Sequence, residues 1–117
     1  MKKLLLGLVW LVSSAVGATM DKEVAHLTIT QSEIENASRW DEIRRWTGEA
    51  VKLGAKTLIL EINVTQGTAQ TMLPLAEEIA RLKLHTIAYV NTSAVAGGAL
   101  MALACDEIWM APGSRIG

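Results

Sequence analysis

Cysteine is nearly absent from this sequence: Cys105 stands alone among 117 residues, which excludes an internal disulfide and a cysteine-built metal centre. In the run Leu103-Ala104-Cys105-Asp106 it reads as a small buried residue without chemistry of its own. A long hydrophobic run is also missing. The apolar stretch Leu4–Val16 has 13 residues, against the roughly 20 that a spanning helix needs. Excess positive charge is lacking too: 11 Lys and Arg stand against 12 Asp and Glu, which gives no reason to expect nucleic acid or an anionic membrane surface as a partner. Neither an internal repeat nor a low-complexity linker interrupts the chain.

What is present fits one small α/β unit. Half of the residues are hydrophobic, which excludes a disordered or collagen-like chain. Residues 1–18 have the form of a secretory signal: Lys2 and Lys3 precede the apolar run Leu4–Val12, and Val16-Gly17-Ala18 supplies small residues for cleavage. The expected location is therefore across the cytoplasmic membrane, with an uncleaved anchor as the other possibility. The organisation expected is a signal peptide over 1–18 and one domain over 19–117.

Hydrophobic periodicity orders that domain. Val24–Thr30 alternates and predicts a first strand, followed by a polar loop over Gln31–Ala37. Ser38 with Asp41 three residues on resembles a capping box, and Trp40, Ile43, Trp46, Ala50 and Leu53 then recur at helical spacing until Gly54 stops them. Lys56–Val64 is a nearly continuous apolar run, the pattern of a strand covered on both faces. After the turn Thr65-Gln66-Gly67, Met72, Leu75, Ile79 and Leu82 predict a second helix, in which Pro74 is tolerable only near the first turn. His85–Val90 predicts a third strand, Ala94–Cys105 a buried helix of small residues, and Glu107–Met110 a fourth strand before the turn Pro112-Gly113. The order β-α-β-α-β-α-β predicts a parallel sheet, whose last strand is left poorly covered.

Ligands of such sheets meet the carboxyl ends of the strands, where two glycine-bearing turns fall, Asn63–Gly67 and Asn91–Gly98. Glycine lets a backbone amide approach a negatively charged oxygen closely, so two such turns side by side can form an oxyanion hole. Neither histidine suits the role of a base there. His26 lies on the first strand and His85 at the start of the third, and both read as ordinary partly buried residues.

The stretch from Ile87 through Asn91 and then Ala94-Val95-Ala96-Gly97-Gly98 to Ala104-Cys105-Asp106-Glu107-Ile108 and Pro112-Gly113 resembles the core of the NfeD-type membrane-bound serine peptidases and of signal peptide peptidase A. Those families carry a Ser-Ala-Gly or Ser-Gly-Gly triplet, a hydrophobic helix, Ala-Asp-Glu-Ile and a Pro-containing turn. Upstream, Leu60-Glu61-Ile62-Asn63-Val64-Thr65-Gln66-Gly67 resembles their Ile-Asp-Thr-Pro-Gly-Gly loop, with Thr65 in place of the proline and Gln66 in place of the first glycine. The resemblance implies a ClpP/crotonase-like α/β fold, incomplete at its C-terminus. It places the Gly67 and Gly97 amides in an oxyanion hole, Gln66 and Gly98 beside the substrate, and Ala96 at the position of the nucleophilic serine. It also implies that Asp106 closes the helix-to-strand corner.

A methyl group cannot form an acyl-enzyme. Ser93 and Thr92 precede Ala96 by three and four residues, and at that offset read as loop or cap residues. The family's base, a lysine or a histidine with an aspartate, comes later than this sequence extends. The expectation is a serine endopeptidase homologue without activity as written, whether a natural pseudoenzyme, an engineered inactive variant or a gene fragment. It needs no cofactor and no metal, and its partners would be a peptide or membrane-protein segment, further copies in a homo-oligomer, and a membrane-anchored partner or further C-terminal domain. A crotonase-type CoA-thioester enzyme and a non-catalytic peptide-binding or assembly module are the competing readings.

Overall fold

The computed structural model describes residues 18–31, 37–66 and 69–117, so the expected signal segment over residues 1–18 lies, but for Ala18, outside the described residues. In chain order the elements are β1 (Ala18–Asp21), β2 (Val24–Thr30), α1 (Ala37–Lys52), β3 (Thr57–Val64), α2 (Ala69–Arg81), β4 (His85–Ala94), α3 (Gly97–Leu103), β5 (Glu107–Met110) and β6 (Arg115–Ile116). The strands form one sheet in the order β1-β2-β3-β4-β5, with β6 also pairing with β4. Among the described residues only β1 runs antiparallel, matching Ala18 to Leu27 and Asp21 to Val24. The pairings β2–β3, β3–β4, β4–β5 and β4–β6 are parallel.

Strand order equal to sequence order has a consequence for the layers. Right-handed crossovers between successive parallel neighbours stack their helices on the same face. Ala25, Leu27 and Ile29 of β2, Leu58, Leu60, Ile62 and Val64 of β3, and Ala88 and Val90 of β4 form one core with Ile43, Trp46 and Ala50 of α1, Met72, Leu75, Ala76 and Ile79 of α2, and Met101 and Ala102 of α3. The alternate residues of the strands are less buried: β3 alternates between half-buried Thr57, Ile59 and Glu61 and fully buried neighbours. The expectation that β3 is covered on both faces is thus corrected, since among the described residues the helices cover one. The opposite face carries a polar row, in which His26 Nε2 lies 3.1 Å from Glu61 Oε1 and Asn91 Nδ2 donates to Glu61 Oε2 over 3.5 Å.

Several boundaries differ from the sequence expectation. Helix α1 already includes Ala37 and Ser38, so Ser38 lies within it rather than capping it. Its end is as expected. Gly54 takes φ +97°, and the Gly54 amide donates to Val51 O while the Ala55 amide donates to Ala50 O, a Schellman closure that only a left-handed residue allows. Leu53 falls in that turn and is exposed, outside the apolar stripe. Helix α2 begins at Ala69, which puts Pro74 in its second turn, on the exposed side. Strand β4 runs four residues past Val90, to Ala94, and takes up what reads as a loop in the sequence. The buried helix after it shrinks to Gly97–Leu103, and every residue of β5 is exposed. No helix among the described residues is long and apolar enough to cross a membrane.

Candidate active site

The extended β4 delivers the chain to a sharp turn at Ala96. The strand β3 and β4 registers slip between Ile62 and Val64, so that Val64 pairs with Ala94 rather than with a residue two beyond Val90. Next to that irregularity the Val95 amide donates to Val64 O at 3.0 Å. Ala96 then adopts φ 52° and ψ −110°, and helix α3 starts at the next residue. A side chain with a Cβ rarely occupies that region, at a cost of about 1–3 kcal/mol that surrounding structure must over-determine. Here it does so: the Ala96 amide donates to Gly117 O at 2.8 Å, the Ala96 carbonyl accepts from the Leu100 amide at 3.1 Å, and the Gly117 amide donates to Ala94 O at 3.0 Å. A strained strand-to-helix turn of this kind is the device by which α/β enzymes lift a nucleophile clear of the sheet.

The two glycines after the turn serve different ends. The Gly98 amide donates to Val95 O at 3.0 Å, and a Cβ added to Gly98 would lie 2.8 Å from Val64 Cβ. Gly98 is therefore needed for close packing of α3 on β3, and its amide is engaged within the turn. Gly97, also buried, has no backbone acceptor for its amide among the described residues, which leaves that donor available beside Ala96. Gly67 lies outside the described residues, so its amide is not placed. Gln66 is exposed at the tip of the turn after β3.

Thr92 and Ser93 belong to β4 and not to a loop, which corrects the sequence reading. Thr92 is exposed, whereas Ser93 is 1% exposed, pairs in register with Arg115 of β6, and leaves its Oγ without a hydrogen-bond partner among the described residues. Both histidines lie away from the turn. His85 Nε2 contacts Glu107 Oε2 and Nδ1 lies 3.5 Å from Asp106 Oδ2, at the opposite end of β4 from Ala96. Asp106 closes the corner as expected: its Oδ2 accepts from the Thr86 amide at 2.9 Å, and its own amide donates to Thr86 Oγ1 at 2.9 Å. That backbone donor, with the Thr86 hydroxyl and His85, holds the Asp106 carboxyl below its ordinary range. Cys105 donates to Met101 O, and burial pushes its thiol up to about 11, so it stays protonated. No group of three or more potential metal ligands occurs among the described residues.

Two features escaped the sequence reading. One is β6, whose continuation through Gly117 closes the turn at Ala96. The other is Gln31, just past the end of β2, whose side chain bonds to the backbone of Thr65 and Gln66. The signal was available in part: neighbouring parallel strands end side by side, so a long amide after one can reach the turn after the next.

Comparison with known proteins adds to this geometry. The sequence profile of the NfeD1b N-terminal domain matches residues 24–117. The chain belongs to that family. It is 30% identical over 102 residues to the membrane protein NfeD1b of Bacillus subtilis, covering 87% of this chain and 23% of that protein. It is 28% identical over 120 residues to the membrane-bound protease PH1510 of Pyrococcus horikoshii, covering 100% of this chain and 27% of that protein. The chain thus spans about a quarter of the curated relatives it matches. Among solved structures, the 1510-N membrane protease of Pyrococcus horikoshii, specific for a stomatin homolog, superposes with a TM-score of 0.66 at 30% identity, over 80% of this chain and 47% of that one. A putative enoyl-CoA hydratase/isomerase family protein of Hyphomonas neptunium gives a TM-score of 0.72 at 14% identity, over 91% of this chain and 50% of that one, which shows the fold alone. The NfeD1b-type domain accordingly has the ClpP/crotonase-like α/β fold, and Ala96 stands in its strained turn.

Proposed function

We propose that this chain is the N-terminal part of a membrane-associated, ClpP-like serine peptidase homologue that holds a peptide at the Ala96 turn without cleaving it. The carrying observation is the backbone at Ala96. Strain at φ 52° has no use in a packing residue, whereas it suits a position that presents a nucleophile, and the turn keeps that geometry with a methyl group in the nucleophile's place. The Gly97 amide, which has no backbone acceptor among the described residues, and the Gly67 amide would together hold the oxyanion of a scissile carbonyl, and Gln66 with the peptide backbone near Gly98 would flank the substrate.

A relative that is a membrane-bound protease and another that is a membrane protein support membrane association and a protease-related role. The substrate class that follows is an apolar peptide segment, such as the flank of a membrane protein, bound on the extracytoplasmic side by a homo-oligomer. Neither cofactor nor metal enters this reading. The crotonase reading has in its support only neighbours of low identity, which carry fold and no chemistry.

The test is hydrolysis of an unstructured apolar peptide by the Ala96 and Ala96→Ser forms, each carried with a downstream segment that supplies the family's lysine or histidine base. Turnover confined to the serine form is the expected result. Binding of the peptide by both forms with turnover by neither would replace the peptidase reading with that of a peptide-binding module, and absence of binding would refute both.

A further inference from the structure

The sheet face opposite the helices takes no part in the Ala96 turn. In register across adjacent strands it presents Glu61 of β3, Tyr89 of β4 and Trp109 of β5. Neighbouring strands lie about 4.8 Å apart, so two aromatic rings stand side by side, and the outer one, on the edge strand, is 54% exposed. That ring is held: Trp109 Nε1 donates to Glu107 Oε1 at 3.0 Å, two residues back on the same strand. This bond and the contact with His85 keep the Glu107 carboxyl below its ordinary range, and therefore ionised. On the other side of Tyr89, the Glu61 carboxylate meets His26 Nε2 at 3.1 Å and accepts from Asn91 over 3.5 Å. Among the described residues neither carboxylate has a lysine or arginine within ion-pair distance.

We propose that this strip of Glu61, Tyr89, Trp109 and Glu107 binds an arginine side chain in a basic peptide segment of a partner protein. The face of an aromatic ring is negative and attracts a cation, indole most strongly. A carboxylate on the indole N–H pushes electron density into the ring and adds its own charge to the field. Two neighbouring rings make a flat platform, which suits a planar guanidinium better than a compact ammonium, and the donors of the guanidinium fork can reach towards the flanking carboxylates. An apolar partner would bury both carboxylates without a counter-charge, and an acidic one would be repelled. Arg115 does not neutralise the strip. It pairs with Ser93, four residues or about 13 Å along β4 from Tyr89.

Titration of the full chain with the acetylated and amidated peptide Gly-Arg-Gly-Arg-Gly, followed by two-dimensional nuclear magnetic resonance, tests the assignment. The Trp109 indole N–H and the Tyr89 and Trp109 backbone amides are expected to shift, and the amides of α1 to stay in place. Glutamine in place of both arginines is expected to weaken binding at least about tenfold. Equal binding of the glutamine peptide overturns the proposal, as do shifts confined to other parts of the chain. Maltotriose, an uncharged ligand that also stacks on aromatic rings, is expected to leave these signals unmoved, and shifts as large as those with the arginine peptide overturn the cation reading.

Two substitutions separate the ring from the charge. Trp109→Leu keeps apolar bulk and is expected to weaken binding about three- to tenfold. Glu107→Gln keeps an acceptor for the indole and removes the charge, with an expected loss of about two- to fivefold that shrinks as salt rises. Unchanged affinity in both variants overturns the proposal. If Trp109→Leu unfolds the edge strand, seen as loss of the Ile108 and Met110 signals, Glu61→Gln on β3 decides instead: a loss of about two- to fivefold supports the strip, and no loss overturns it. None of these readouts involves Ala96 or turnover, so they stand apart from the peptidase reading.

Discussion

Replacing Ala96 by glycine should stabilise the protein, although it removes a methyl group and loosens the unfolded chain. At φ 52° and ψ −110° the Cβ of Ala96 costs about 1–3 kcal/mol, and glycine relieves it. Against this stand the extra freedom of glycine in the unfolded state, about 0.5–1 kcal/mol, and a half-buried methyl worth about 0.4 kcal/mol. The balance favours Ala96→Gly by about 1 kcal/mol, which for a domain of this size raises Tm by about 4–8 °C. Thermal unfolding followed by circular dichroism, with urea midpoints compared at constant slope, reads the effect. Ala99→Gly, two residues into α3 at a buried helical position, is the control and should destabilise by about 1 kcal/mol. If Ala96→Gly lowered Tm in the manner of Ala99→Gly, the backbone at Ala96 would be unstrained and the argument for a nucleophile turn would fail.

Three further substitutions probe the surroundings of that turn. Gly98→Ala puts a Cβ 2.8 Å from Val64 Cβ, which the backbone holds in place, and should cost about 1–3 kcal/mol in urea unfolding. Ser93→Ala removes a buried hydroxyl that has no partner among the described residues and should stabilise by about 1 kcal/mol, visible as a rise in Tm. Asp106 has its carboxyl pKa depressed by the Thr86 amide, so its stabilisation is present above the unfolded value of about 3.9 and fades as pH falls through the lower folded value. Asp106→Asn should flatten the acid limb of stability against pH below about 4, and an unchanged limb would remove the Thr86 contact from the account.

Local patterns in the sequence located most elements, and non-local pairings set their limits. Gly54 ends α1 through a left-handed conformation that no neighbour could supply as easily, so its signal is local and legible. Lys56–Val64 reads as a continuous apolar run because Ile59 follows the apolar half of the pattern although it lies on the face left open. Asn91, Thr92 and Ser93 look like a polar loop. They are strand because β6, a pair of residues far along the chain, offers Ser93 and Ala94 a partner. Alanine carries no mark of a positive φ, and the strain at Ala96 depends on bonds to Gly117 and Leu100 that no local pattern encodes. Gln31 shows the same limit, since its partners are more than thirty residues away in sequence.

The bonds from Ala96 to Gly117 and from Gly117 to Ala94 also govern when the turn can exist. A ribosome makes Ala96 well before Gly117, and domains emerge as units during synthesis. Without Gly117, residue 96 keeps only the bond from the Leu100 amide to its carbonyl, and two of the three bonds that hold the turn are missing. The strained turn is thus completed by a strand that follows it in the chain, and its geometry depends on the pairing of β6 with β4.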